Sequence, residues 1–476
     1  MRALMIQGCT SSAGKSMLTT VLCRWASDLG IDVAPFKAQN MANNARVTPG
    51  GEIGVAQWLQ ARAARVTPGV DHNPVLLKPE ADTRSQVVVH GHVDDALTGL
   101  PWRERPPQLW AAIEESADRL RTQHDLLVVE GAGSPAEINL PDVVNGRVAT
   151  HLDAAVLLVT DIDRGGAFAH LYGTWALVDD DARSRYAGFI LNKFRGDPSL
   201  LDPGPAILES KTGVPTVGLV PMLRHALPDE DGARVWTPPA GVTNPPRVAI
   251  VAGRAASNLD EFAALAQVAE VVWARSPADL VGAELIVLAG SKHVAHDGAW
   301  MREVGLDRAI AAAADGGTRV LGICGGAMLL GREVIDPLGV EGGVPTRTPG
   351  LGLLELSTTY ARNKLLRYGP ATTTAELPTP WSALRGRTVD ATYEIRHGQV
   401  SSASTAVLHG TRGAPLGWAD GNVLAVTSHG LLEDPTFVAA LLDVPPPPSL
   451  DDVLDDVTAA VIPHLNTDHI LRTIGA

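Results

Sequence analysis

Residues 3–7, Ala-Leu-Met-Ile-Gln, run directly into Gly8-Cys9-Thr10-Ser-Ser-Ala-Gly14-Lys15-Ser16, which opens a helix-forming stretch over 16–29 closed by Gly30. No other feature constrains the fold as much. A strand that turns on small residues into a helix lets backbone N–H groups curl around phosphate oxygens at the positive end of the helix dipole. Gly8, Thr10 and Gly14 shape such a cradle, Lys15 reaches the β- and γ-phosphates, and Ser16 is placed to ligate Mg²⁺. The spacing between the glycines is one residue longer than in the commonest loop of this kind. A plain small-residue turn is the alternative, and the Gly-Lys-Ser ending in this setting favours a nucleotide site.

A loop of this type needs parallel strands beside it, and the sequence supplies them. Short apolar runs at 31–35, 86–90, 126–130, 155–160, 188–191 and 216–220 alternate with helical patterns such as 108–123. Alternation of this kind predicts a parallel sheet buried on both faces. Pro-Pro at 238–239 and again at 245–246 then breaks the pattern, marking a linker. A second alternation starts at 247–251 and continues at 285–289 and 319–323. Residues 335 to 420, richer in Gly and Thr, read as antiparallel strands. The expected fold is α/β, with two domains, each a mostly parallel sheet with flanking helices. The boundaries are 1–233 for an ATP-dependent domain, 234–246 for the linker, 247–444 for the second domain, and 445–476 for a Pro-rich, acidic segment that forms a short helix or stays disordered.

The 476 residues suffice for two or three domains, and 45% hydrophobic with 19% charged residues fits a globular chain. A net charge of −14 argues against a nucleic-acid surface. Cys9, Cys23 and Cys324 form no metal-ligand spacing and are odd in number, which suits a reducing compartment. No apolar run is long enough for a membrane helix and no secretory pattern precedes Gly8, so a soluble, cytoplasmic protein without membrane or nucleic-acid partners is expected. Only seven of the 39 basic residues are lysines, and five of them (Lys15, Lys37, Lys78, Lys193 and Lys292) fall within the candidate site motifs. A compact ammonium at those places suits phosphate or carboxylate recognition.

Phosphate chemistry also needs an acid for the metal at a neighbouring strand end. Leu126-Leu-Val-Val-Glu130 followed by Gly-Ala-Gly133 supplies it, and Asp161-Ile-Asp163-Arg164-Gly-Gly166 repeats the arrangement after the next strand. In the second half, Gly322-Ile-Cys324-Gly325-Gly326 lies between a strand and a helix. This Gly-x-Cys-x-Gly turn projects a thiol at a helix N-terminus, where an N–H is also available for an oxyanion. A buried structural cysteine is the alternative. His429, between the run 423–426 and Gly430, is the candidate base. Glu433 is set to orient that imidazole, or else to cap a helix or face solvent. Gly290 and Ser291 end another strand and could give a second oxyanion N–H beside that of Gly325.

A phosphate site joined to a thiol amidohydrolase site implies that ATP activates a carboxylate and that ammonia from glutamine captures it. The chain resembles the cobyric acid synthases, glutamine-dependent amidases of adenosylcobalamin biosynthesis. Their first domain is a dethiobiotin-synthetase-like P-loop domain, and their second is a class I glutaminase. The resemblance rests on Lys37-Ala-Gln39-Asn40-Met41-Ala-Asn43, Gly51-Glu52-Ile-Gly54, Asn73-Pro-Val-Leu-Leu-Lys78-Pro79, Glu130-Gly-Ala-Gly-Ser-Pro-Ala-Glu137-Ile-Asn139 and Asn192-Lys193-Phe-Arg-Gly-Asp197. It implies amidation of the b, d, e and g carboxylates of adenosyl-cobyrinic acid a,c-diamide, using ATP, Mg²⁺ and glutamine.

By the same resemblance Ser16 and Glu130 would hold Mg²⁺, and Asn192 with Lys193 would meet the nucleotide, Asn192 at the adenine. The loops carrying Lys37, Gln39, Asn40, Asn43, Asn73 and Lys78, together with Asp161 and Arg164, would face phosphate and the corrinoid. The amides of Gln39, Asn40 and Asn43 could instead tie down a loop. The chain departs from the family pattern at Ala289, at Ala327-Met328 (usually Tyr-Gln), at Arg396-His397 (usually His first) and in a short run at 140–145. Other ATP- and glutamine-dependent amidases, including the a,c-diamide synthases, are the nearest alternative. A ParA/MinD-like regulatory ATPase is an alternative from a different class.

Overall fold

The computed structural model describes residues 2–81, 84–139, 144–228 and 244–475. Two units result: Met1–Leu227 together with Leu450–Ala476, and Pro228–Ser449. Residues 140–143 of the departure noted at 140–145, and most of the linker at 234–246, lie outside the described residues.

In the first unit, β1 (Arg2–Gly8) is followed by α1 (Lys15–Asp28), β2 (Val33–Phe36), α2 (Val55–Ala63) and α3 (Pro106–Gln123). Then come β3 (Leu126–Glu130), β4 (Ala155–Asp161), β5 (Tyr186–Phe194) and β6 (Thr216–Pro221). These strands form one parallel sheet in the order β6-β5-β4-β1-β3-β2. Leu4, Met5 and Ile6 are all buried, because helices cover both faces and successive side chains point to opposite ones. Leu18, Val21 and Leu22 of α1 close one face of this sheet. Burial of side chains like these stabilises by about 1.5–3 kcal/mol apiece. Register pairs Ile6 with Glu130 and Gly8 with Val159, so the phosphate loop and both acidic strand ends meet at the carboxyl edge of the sheet.

The strand expected at 86–90 forms as Arg84–Val89, but it does not join the parallel sheet. It pairs antiparallel with Val75–Ala81, which pairs in turn with Gln39–Met41, in a separate four-stranded sheet. The stretches read as loops around Lys37–Asn43 and Asn73–Lys78 are therefore partly strands. The buried run Val75-Leu76-Leu77 explains this, since it packs from both sides.

The second unit carries β7 (Arg247–Val251), β8 (Glu270–Ala274), β9 (Leu285–Leu288), α4 (Val294–Glu303), β10 (Arg319–Ile323) and α5 (Gly325–Leu330). Beyond them are β11 (Leu356–Thr373), β12 (Thr388–Ser402), β13 (Pro415–Asp420) and β14 (Val423–Val426). The strands β8-β7-β9-β10-β14 are parallel, and β13 then pairs antiparallel with β14. β11 and β12 form a long antiparallel ribbon, the expected change of pattern in this region.

The acidic segment is neither disordered nor separate. It forms α6 (Leu450–Val461) and α7 (Thr467–Ile474), which return to the first unit. Val453, Leu454, Val457 and Val461 recur at helical spacing and join the core around α1. Arg24 of α1, 2% exposed, is held by Asp455 at 2.7 Å and Asp451 at 3.0 Å, so the aspartates face a buried cation. Among the described residues no helix is long and apolar enough to cross a membrane.

Candidate active sites

The loop between β1 and α1 turns on Gly14 at φ +102°, where a Cβ would lie 2.0 Å from Asn192 Nδ2. Only glycine fits that close approach. Lys15 folds under the loop, its Nζ donating to Thr10 O at 3.0 Å and Gly133 O at 3.1 Å. Burial lowers its pKa and the nearby Lys37 lowers it further, against the pull of Glu130. Ser16 Oγ donates to Glu130 Oε1 at 2.8 Å, and Lys37 Nζ reaches the same oxygen at 2.8 Å. Gln60 of α2, which the sequence reading did not single out, donates to Glu130 Oε2 at 2.5 Å. Burial alone would raise Glu130, but the charge and hydrogen bond of Lys37, with the bonds from Gln60 and Ser16, hold it below its ordinary value. An ionised carboxylate beside a hydroxyl is a hard-oxygen pair of the kind Mg²⁺ takes, with phosphate and water completing its shell. Ser16 and Glu130 fit that ion.

The remaining candidates sort by their partners. Lys78 and Glu52 form a buried ion pair. Asn40 Nδ2 donates to Gln57 Oε1 at 3.0 Å, while Asn73 accepts from Gly54 N at 3.0 Å and donates to Val75 O at 2.9 Å. These two amides therefore tie the surrounding strands to one another and to α2. Gln39 is half-buried and Asn43 exposed. Lys193 Nζ bridges Asp161 Oδ2 at 2.9 Å and Ser12 O at 2.7 Å, and Arg164, exposed, approaches Asp161 at 3.8 Å. Asn192, 1% exposed, donates to Ala13 O at 2.8 Å and accepts from Lys193 N at 2.9 Å. Through Nδ2 it braces the phosphate loop.

In the second unit Cys324 sits between β10 and α5 at φ +50°, ψ −105°, a strained conformation for a side-chain-bearing residue. Its N–H donates to Val426 O at 2.8 Å, fixing the turn against β14. A Cβ on Gly325 would meet Ser291 N at 2.7 Å, so glycine there brings the two strand ends together. A Cβ on Gly290 would lie 2.9 Å from His429 Cε1, which measures how closely that turn approaches the imidazole. Gly290, Ser291, Gly325, Cys324 and His429 are one cluster.

His429 is 1% exposed and donates from Nδ1 to Glu261 Oε1 at 2.9 Å. Burial alone would depress the imidazole, but Glu261 and a hydrogen-bonded Cys324 together push it well above its ordinary value. The acid on His429 Nδ1 is thus Glu261. Gly430 at φ +92° turns the chain directly after His429, and Glu433 falls in the short helical turn Leu431–Glu433. Glu261 comes from Leu259–Phe262, a single helical turn after β7. An acid just beyond the carboxyl end of a strand was the available signal, but it lies too far past Val251 to stand out in Ser257-Asn-Leu-Asp-Glu261.

Met328, buried, has its sulfur 3.7 Å from Tyr360 Oη, and Tyr360 donates to Glu341. Glu341 in turn accepts from Val294 N at 2.9 Å and Ala295 N at 3.3 Å at the start of α4. Arg396 binds Glu394 at 2.6 and 2.9 Å and the carbonyl of Gly398. Ala289 is buried.

Residues 4–230 match the CobQ/CobB/MinD/ParA nucleotide binding domain, and residues 247–437 match the CobB/CobQ-like glutamine amidotransferase domain. The cobyric acid synthase of Paracidovorax citrulli is 53% identical over 482 residues, covering 97% of this chain and 96% of its own. That of Variovorax paradoxus is 51% identical over 472 residues, with 97% of each chain covered. That of a Polaromonas species is 48% identical over 495 residues, covering 97% and 96%.

Proposed function

The chain belongs to the cobyric acid synthase family, and on that premise we propose that it amidates the b, d, e and g carboxylates of adenosyl-cobyrinic acid a,c-diamide, with ATP as the activating substrate and glutamine as the nitrogen source. The broader statement, an ATP- and glutamine-dependent amidating enzyme of cobalamin biosynthesis, follows from the family itself.

A carboxylate does not react with ammonia until one of its oxygens becomes a leaving group, and transfer of the γ-phosphoryl group makes it one. The amides of the Gly8–Gly14 loop and the ammonium groups of Lys15 and Lys37 stabilise the charge that this transfer gathers. Ser16 and Glu130 would hold Mg²⁺, which would supply further neutralisation of the phosphate charge.

In the other unit the Cys324 thiolate attacks the amide carbon of glutamine. The N–H groups of Gly325 and Ser291 receive the oxyanion, and His429 passes its proton to the departing ammonia. Glu261 holds the imidazole with Nε2 toward the thiol and stabilises the imidazolium. Water, with His429 now acting as base, releases glutamate from the thioester. Ammonia displaces phosphate from the activated carboxylate to leave the amide. The cysteines Cys9, Cys23 and Cys324 are unpaired, which supports a cytoplasmic setting.

The Cys324–His429–Glu261 assembly carries this reading. Incubation with the diamide, MgATP and glutamine, followed by mass spectrometry of the corrinoid, tests it. Stepwise conversion of carboxylates to amides is expected. Glutamine hydrolysis with no change in corrinoid mass would sink it. Met328 favours a second point. An apolar side chain stands there in place of the family's amide, so we propose that this enzyme uses free ammonium relatively well. Equal saturation with glutamine and ammonium would bear this out, whereas a strong glutamine preference would show that the substitution does not matter.

A further inference from the structure

We propose that Tyr393 is a positioning residue of the glutaminase site, holding the His429 imidazole and the Glu261 carboxylate together as one unit beside Cys324. The inference rests on the glutaminase reading above.

Three independent contacts carry it. The Tyr393 ring stacks on the imidazole, with centroids 5.2 Å apart and planes 21° from parallel. The backbones are paired by an isolated antiparallel bridge, His429 N donating to Tyr393 O at 2.8 Å and Tyr393 N to His429 O at 3.2 Å. Asn258 Nδ2 donates to Tyr393 Oη at 2.6 Å, and Asn258 is the left-handed residue, φ +57°, that starts the turn carrying Glu261. One side chain of β12 therefore touches the base through its ring and the turn of the acid through its hydroxyl.

The chemistry gives this contact work to do. An imidazole with a single hydrogen bond at Nδ1 can still tilt, and a tilt moves Nε2 away from the thiol. A flat ring against one face opposes the tilt. The π-face also favours the protonated ring, which must form while the thiolate is present. The titratable groups set against His429 are Glu261 from its helical turn, Cys324 from the elbow and Tyr393 from β12. Removing the aromatic face withdraws support from the cation alone.

The test compares the full chain with Tyr393→Leu and Tyr393→Phe for glutamine hydrolysis across pH, and for ATP-dependent amidation with ammonium chloride. Tyr393→Leu is expected to lower kcat for glutamine by about 10- to 100-fold with KM little changed. Its alkaline limb should move to lower pH, because the imidazolium loses its proton earlier. Tyr393→Phe keeps the stack, so its limb stays in place and only a few-fold loss follows from releasing Asn258. Ammonium-driven amidation should be unaffected in both. An alkaline limb in Tyr393→Leu that coincides with the parent's overturns the proposal, as does a loss confined to KM. Should Tyr393→Leu not fold, Tyr393→Phe and Asn258→Ala decide, and parent-like kcat in both overturns the proposal. Glutamine hydrolysis that survives Cys324→Ser would instead sink the underlying reading.

Discussion

At the scale of single residues, charge pairing governs both sites. Glu261 spends one oxygen on His429, while its other oxygen is buried with no hydrogen-bond partner among the described residues. A carboxylate held so dry fits a partner that becomes a cation during turnover. Glu261→Gln should cost glutamine hydrolysis about two to four orders of magnitude, since an amide can neither fix the tautomer nor balance the imidazolium. Glu433→Gln should leave it within a few-fold, and steady-state glutaminase assays on both variants decide between the two acids. In the first unit Lys37 and Glu130 are both buried. Lys37→Met strands the carboxylate and should destabilise by about 3–5 kcal/mol. Adding Glu130→Gln should restore much of the melting temperature but not ATP-dependent amidation. If the single variant melts like the parent, the pair is not structural.

At the scale of elements, α1 has two jobs. Its first turn presents Lys15 and Ser16, and further along it packs against α6. Deleting residues 450–476 would expose the apolar face of α1 that Val453, Leu454, Val457 and Val461 cover. At about 1.5–3 kcal/mol per buried side chain, the loss rivals the whole stability of an ordinary domain. ATP-dependent amidation should be abolished, and an early unfolding transition should appear in a thermal scan. An unchanged scan would mean the segment only decorates the surface. This element also marks how far the sequence could be read. The strand–loop–helix around Lys15 and the turn around Cys324 are local patterns, so spacing alone placed Gly14, Ser16, Gly325 and Cys324. The partners of these residues are not local. Glu261 reaches His429 from a distant part of the chain, and Gln60 reaches Glu130 from α2 without itself belonging to any motif. Apolar runs foretold the strand near residue 86 without saying which sheet would take it. Asp451 and Asp455 belong to a segment read from sequence only as acidic, and the Arg24 they meet is itself unremarkable in sequence.

At the scale of the molecule, two chemistries share one chain, and they should separate by mutation. Cys324→Ser should abolish glutamine use while leaving amidation with ammonium, whereas Lys15→Met should abolish both. Assays with each nitrogen source would expose any exception. Three of the five candidate-site lysines, in a chain of net charge −14, are already engaged by acids. Lys37 is held by Glu130, Lys78 by Glu52 and Lys193 by Asp161. A polycarboxylate therefore meets paired cations, and its binding should depend less on salt than the lysine count suggests.

The return of α6 and α7 to the unit that begins with β1 has a consequence for how the protein is made. Residues 228–449 are synthesised before Leu450–Val461 exists to cover α1. A ribosome carrying the first 230 residues holds a nucleotide-binding sheet whose α1 face is still bare. That sheet must wait, exposed to chaperones and proteases, until the ammonia-producing half has been translated. A message broken anywhere in the second half would then yield an incomplete ATP unit prone to degradation. The cell would be spared an enzyme that activates carboxylates with no nitrogen to give them.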